Sequence, residues 1–203
     1  MISPLRIMLD CESLSTKGNA ALLSISAVAF DLKANNRDDL IISTFDSHVL
    51  IDSAFSSGHV DPQTVLWWMK QGEAARLHIV NHQRNAVPEI EALLALTAWI
   101  ERLAAKHEIS SDDVEVWSND ELADALWLTN AYARHDLSTP WPWWGNRCFR
   151  TLNSLFPAVR ATTAFQGTPH IGIDDARHQA VVLWRIVREC MKGNIHLILG
   201  GEA

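Results

Sequence analysis

Two apolar runs separated by a polar turn constrain this chain more than any other stretch. Leu5 to Leu9 stops at Asp10-Cys11-Glu12, Ala20 to Leu32 is longer and rich in Ala, Val, Ile and Leu, and Ser15-Thr16-Lys17-Gly18-Asn19 between them has turn composition. Such runs read as two buried strands joined by a hairpin. Ile41 to Ile51 adds a third strand of partly alternating character. After it the pattern changes period. Pro62 opens a helix through Gln71, and Pro88 opens another through Ala105, whose Ile90, Leu93, Leu94, Leu96, Trp99 and Ile100 recur at helical spacing. Val114 to Trp117 is a short strand, followed by a helix over 121–134. Leu137 to Trp144 reads as a loop entering a short extended piece. Helices over 146–156 and 173–191 complete the series.

Strands crowd the first quarter and one later strand is inserted among helices. That order predicts an α/β three-layer fold with a central mixed sheet flanked by helices, rather than a doubly wound parallel one. With 203 residues, 48% of them hydrophobic, the chain has material for one sizeable core but not comfortably for two. A single domain over 1–194 with a C-terminal tail over 195–203 is expected, without internal repeats.

The net charge of −7 argues against a protein that coats nucleic acid through a broad basic surface, since such binding rests on many phosphate contacts. Local basic groups and metal ions remain compatible with a phosphodiester. Three cysteines without C-x-x-C spacing argue against a disulfide framework or a structural zinc site. No apolar run approaches the ~20 residues that span a bilayer, and Met1 to Leu9 lacks a secretory h-region, so a cytoplasmic protein is expected.

The chemistry-bearing residues fall in three places. Asp10 and Glu12 share one face of a strand end, because side chains alternate with period two, and two carboxylates there repel unless a cation or proton lies between them. Asp124 follows the later strand at a helix start. His170 precedes Asp175 by five residues, at the start of the last helix. Each alone fits a bland role: a solvated strand end, or acids favoured by a helix N-terminus. Together they recur at strand end, strand-to-helix turn and final helix, positions that converge on one edge of such a sheet.

These residues resemble the motifs of the DEDDh (DnaQ-like, RNase H-fold) 3′→5′ exonucleases. Leu9-Asp10-Cys11-Glu12-Ser13 is similar to the first motif, Asn119 to Asp124 to the second, and His170-x-Gly-x-x-Asp175-Ala176 to the third. Three further elements resemble the phage, prophage and bacterial exoribonuclease branch: Trp67-Trp68-Met69-Lys70-Gln71, the W-x-x-R-x-x-R-T run from Trp144 to Thr151, and Asp175-Ala176-Arg177-His178-Gln179-Ala180. The chain departs from the family's usual residues at Ser13, Ser118, Asp120, Ala123, Cys148 and Gly172, none of them an acidic ligand.

The resemblance implies an RNase H-like fold and hydrolysis at the 3′ end of nucleic acid to nucleoside 5′-monophosphates. It implies Asp10, Glu12, Asp124 and Asp175 as ligands of two divalent metal ions, Mg²⁺ or Mn²⁺, with His170 as general base. Oxygen ligands suit such ions. Trp67, Trp68, Gln71, Asn119, Arg147 and Arg150 become candidate substrate contacts. Adjacent tryptophans on a helix point about 100° apart, so at most one of Trp67 and Trp68 faces substrate. Phage-like features lean towards DNA 3′ ends, with RNA as the alternative. A catalytically silent nucleic-acid-binding module and an RNase H-fold endonuclease are competing readings. Ile195 to Leu199 and exposed tryptophan are candidate surfaces for a homodimer.

Overall fold

The computed structural model describes residues 4–192. The tail expected over 195–203, and its apolar stretch, lie outside the described residues. Strands β1 (Leu5–Ser13), β2 (Leu22–Phe30) and β3 (Ile41–His48) form an antiparallel meander. On its other side β1 pairs in parallel with β4 (Val114–Ser118), which pairs in parallel with the short β5 (Asn146–Cys148), giving the order β3-β2-β1-β4-β5. The sheet is mixed, with the strand that carries Asp10 and Glu12 at its centre. Central position explains the composition of the first quarter: every residue of β2 is buried, so no polar face is needed.

The period-two alternation of β1 divides two cores. Ile7, Leu9 and Cys11 enter the larger cluster, which includes residues of α4 (Glu89–Lys106) and α5 (Leu126–Arg134). Met8 enters the second, with Ala176, Ala180 and Leu183 of α8 (Gly172–Met191) and Phe149 of α6 (Phe149–Ser154). Helices on both faces make the three layers, and Asp10 and Glu12 belong to the α8 side. α4 buries Ala92, Leu93, Leu96, Trp99, Ile100 and Leu103 at helical spacing. Burying one such large side chain is worth ~1.5–3 kcal/mol. Glu89, the first residue of α4, is fully buried, and it meets Arg134 and His135 at the end of α5. Removing either partner strands a charge in the interior.

The boundaries differ from expectation where local pattern is weak. The third strand ends at His48, and α1 (Ile51–Ser57) begins where a continued strand was expected. The segment 146–156 opens as β5 before turning helical. Gly145 lies so close to β4 that an added Cβ would stand 2.4 Å from the Val114 carbonyl oxygen. That backbone approach seats β5 on the sheet. Helix α2 (Pro62–Met69) starts as its proline predicts, with Asp61 Oδ1 accepting from the Gln63 amide at 2.8 Å. Two short helices, α3 (Glu73–His82) and α7 (Pro157–Ala161), have no counterpart in the sequence reading. The expected helix over 121–134 begins instead with a wide π-helical turn, Glu121–Ala125, before α5 continues it.

Candidate active site

The acidic residues reach one cleft from three directions. β1 delivers Asp10 and Glu12, and the N-terminal turn of α8 delivers Asp175. Carboxylate oxygens of these three lie within 4.8 Å of one another. Asp124 comes from the π-helical turn after β4 and is 6% exposed. The Cys11 amide, between the two strand acids, donates to Asp124 Oδ1 at 3.0 Å, which fixes the second motif beside the first. A π turn is wider than an α turn and re-aims a side chain, a common device at functional sites. Asp120 Oδ1 caps that turn by accepting from the Leu122 amide.

Crowding raises the affinity of these acids for protons or cations. Burial pushes Asp10 well above the usual carboxylate range, with repulsion from Asp124, Glu12 and Asp175 adding to it. Burial also lifts Glu12 well up, helped by Asp175 and Asp124. Asp124 rises to about 6 and Asp175 rises as well, both chiefly through burial. Gln179 Nε2 donates to Asp10 Oδ1 at 2.7 Å and opposes the shift without supplying charge. Among the described residues none of the four carboxylates pairs with a lysine or arginine. An all-oxygen set of unpaired, mutually repelling carboxylates fits hard divalent cations.

His170 stands at the rim on a turn. Ile171 donates its amide to the Thr168 carbonyl at 3.3 Å, Pro169 occupies the second position, and His170 the third with φ +65°. That third position in a type II turn normally takes Gly or Asn. A histidine there is strained, and strain of this kind collects at functional sites. The His170 amide donates to Asp175 Oδ2 at 2.7 Å, so the rim is tied to the floor. Asp174 accepts from the Thr168 amide and braces the same loop.

The cleft encloses about 480 Å³. A second hollow of about 390 Å³ adjoins it through Cys11, Glu12 and Trp127, and runs along Trp67 and Trp68. Trp68 is buried, its Nε1 donating to the Ser13 carbonyl at 2.8 Å. Trp67 is 42% exposed and stands edge-on to the His170 ring at 5.1 Å between centroids. The two rings meet edge-on at 5.1 Å between centroids, and both line the hollow, with Trp67 the more exposed.

The remaining candidate contacts divide. Asn119 and Arg150 line the cleft, and Arg150 pairs with Asp120 at 2.8 Å. Arg147 and Gln71 line neither hollow. Arg147 is drawn to Glu115 of β4 at 3.2 Å and to the Trp144 and Asn146 carbonyls, while Gln71 Nε2 turns back onto the Trp67 carbonyl. Phe165, Arg160, His178 and Gln179 also line the cleft, though none was among the candidate site residues, and His178 and Gln179 appeared only within a family-like run. Gln179 was legible in principle, being four residues after Asp175 and hence on the same helix face. The glycine at 172 also has a reason: a Cβ there would stand 2.7 Å from Ser26 Oγ and 3.1 Å from the Asp10 carbonyl oxygen. A larger residue would require the Ser26 hydroxyl on β2 to shift, so glycine eases the close start of α8 beside β1.

A mixed five-stranded sheet that gathers four acids at one cleft is the RNase H-like frame of DEDDh nucleases. The nuclease domain of 3′hExo, a DEDDh family member bound to rAMP, aligns with a TM-score of 0.60 at 12% identity over 92% of this chain and 93% of that one. Cell-death related nuclease 4 aligns at 0.54 and 13% identity, over 92% of this chain and 64% of that one. E. coli Exonuclease I in complex with a dA16 oligonucleotide aligns at 0.53 and 14% identity, over 93% and 43%. No curated protein matches the chain closely enough to stand as a relative. The chain belongs to the Rv2179c-like 3′-5′ exoribonuclease domain family, whose pattern it matches over residues 5–187. It is thus a nuclease domain of the 3′-5′ exonuclease class.

Proposed function

We propose that this chain hydrolyses RNA from its 3′ end in a divalent-metal-dependent reaction, with Asp10, Glu12, Asp124 and Asp175 holding two Mg²⁺ or Mn²⁺ ions and His170 acting as general base. The meeting of three unpaired carboxylates within 4.8 Å supports the metal reading most directly. Such ions, when bound, stabilise the charge that develops on the attacking and leaving oxygens. The family's description as exoribonucleases supports RNA over the DNA that phage-like motifs favour.

The protein's own groups divide the remaining work. The imidazole of His170 takes the proton of the attacking water, as imidazole commonly does as a general base. Asp175 orients His170 by accepting its backbone amide. Gln179 holds the Asp10 carboxylate in one orientation. Trp67 offers its exposed ring to a terminal base, and Arg150 and Arg160 at the mouth meet phosphates. Nucleoside 5′-monophosphates leave as products.

Matched RNA and DNA oligonucleotides, 5′-labelled and offered with Mg²⁺ or Mn²⁺, test the reading. RNA should shorten stepwise from the 3′ end, and Asp10→Ala should lose at least about 10³-fold in rate, as several kcal/mol of transition-state stabilisation depend on the ions. Equal activity of the variant would refute the assigned site. Faster decay of DNA would move the substrate, and cutting of a circular strand would make the enzyme an endonuclease.

A further inference from the structure

A second cluster of metal-ligating side chains lies outside the carboxylate cleft. His48 ends β3, and His78 and His82 stand four residues apart on one face of α3. One ring nitrogen from each lies within 4.8 Å of the others. The rings are in contact: His48 and His82 stack at 4.2 Å, and His78 and His82 approach to 4.1 Å between centroids. We propose that His48, His78 and His82 form a site for one imidazole-preferring divalent ion of the zinc class, which clamps α3 to the edge strand β3.

Two observations go beyond the clustering. His48 is 9% exposed, and its Nε2 makes no hydrogen bond among the described residues. A buried ring nitrogen that makes no hydrogen bond and meets Asp46 Oδ2 no closer than 3.6 Å is poorly satisfied, and a metal ion would bind it directly. The other is a tautomer lock. His82 Nδ1 lies 2.7 Å from the His78 carbonyl oxygen. A carbonyl only accepts, so Nδ1 carries the proton and Nε2 keeps its lone pair. Metal-ligating histidines are held in this way, their second nitrogen donating to a carbonyl or carboxylate.

The surroundings suit a cation. Asp46 Oδ2 stands 3.6 Å from His48 Nε2, and Asp46 is itself fixed by Ser26, whose Oγ donates to Oδ1 at 2.7 Å. Tetrahedral zinc with bonds of ~2.0–2.1 Å needs donor atoms roughly 3.4 Å apart, so the cluster would have to contract and the stacked His48 and His82 rings to turn until their lone pairs converge. Imidazole nitrogens select Zn²⁺, Ni²⁺ or Cu²⁺ over Mg²⁺, so this site and the oxygen-lined cleft take different ions. The cysteines, spaced wrongly for a thiolate site, play no part.

α3 has need of such a clamp. It fully buries only Ala75 and leaves Leu77 and Val80 exposed at 45% and 62%. An ion shared with His48 would anchor it to the sheet, and with it the end of α2 that carries Trp67.

The test uses the full chain, stripped with chelator and held in excess Mg²⁺ so that the carboxylates are occupied. Zinc titration by calorimetry should find one tight site in the unaltered protein and in Asp10→Asn, weakened at least about 10²-fold in His78→Ala and His82→Ala. Zinc should raise the melting temperature of the first two proteins and not of the histidine variants. Zinc-soaked crystals of the unaltered chain should show an anomalous peak among His48, His78 and His82, a readout that stands even if a variant misfolds. Unchanged zinc affinity in both histidine variants would overturn the proposal. So would anomalous density confined to the carboxylates.

Discussion

The floor and the rim of the cleft are built by different means. Asp10 and Glu12 sit on the central strand of the sheet, laddered to β2 and just past the end of the β4 ladder at Leu9, and Asp124 is pinned by a backbone amide of that strand. His170, Trp67, Arg150 and Arg160 stand on a turn or on short helices, half-buried or exposed. The floor is where charge repulsion is stored, so it needs the stiffest part of the fold. The rim meets a substrate that must enter and leave, and it gains from lower local stability. His170 belongs to both, because its backbone amide is tied to the floor while its ring faces the groove.

Replacing that ring gives the largest expected effect. Alanine would be a poor choice, since φ of +65° strains any side chain of ordinary geometry. Asparagine tolerates this backbone, so His170→Asn removes the imidazole and keeps the turn. The rate constant kcat should fall by about 10²–10⁴-fold with KM nearly unchanged, as expected for loss of a general base. A rise in KM with kcat preserved would show instead that His170 serves binding, and the division between floor and rim would then be sharper than drawn.

The floor should betray itself through stability. Carboxylates raised in the folded state keep protons that the unfolded chain has already released, so the metal-free protein is most stable at mildly acid pH. Stability falls as pH climbs from the ordinary carboxylate range through about 6, the value for Asp124, and the deficit is complete once Asp10 and Glu12, raised well above that range, have also lost their protons. Mg²⁺ or Mn²⁺ should restore the loss by binding the folded state alone. Asp10→Asn keeps an acceptor for Gln179 but removes one repelling charge. Melts of the metal-free variant above that pH should show a gain on the order of 1–3 kcal/mol, with a smaller response to Mg²⁺. A metal-free protein whose melting temperature is flat with pH would mean that the acids are relieved in some other way.

The floor was also the part most legible in the sequence. A nine-residue strand announces itself by its apolar residues, and period two alone puts Asp10 beside Glu12. The mixed sheet followed from the order of elements. What stayed hidden depends on neighbours far along the chain. β5 is a three-residue strand whose register comes from β4, and its own residues read as a helix start. α3 was missed because Leu77 and Val80 face solvent and blur any apolar stripe. The pair His78 and His82 has ligand spacing in the sequence, yet only the fold brings His48 between them. No spacing rule foretells that Glu115 on β4 draws Arg147 away from the cleft.

That last point separates two arginines that look alike in sequence. Arg147 is engaged by Glu115 and two carbonyls, whereas Arg160 lines the cleft and forms no ion pair among the described residues. An exposed guanidinium meeting a phosphate is worth roughly 0.5–1 kcal/mol, so Arg160→Ala should raise KM about two- to fivefold and flatten its dependence on salt. Arg147→Ala should leave KM and its salt slope alone and lower the melting temperature instead, because it unties the turn before β5. Steady-state kinetics at two salt concentrations, set beside melts of both variants, decide between them. The reverse pattern would return Arg147 to the substrate and show that β5 moves towards the cleft when RNA is bound.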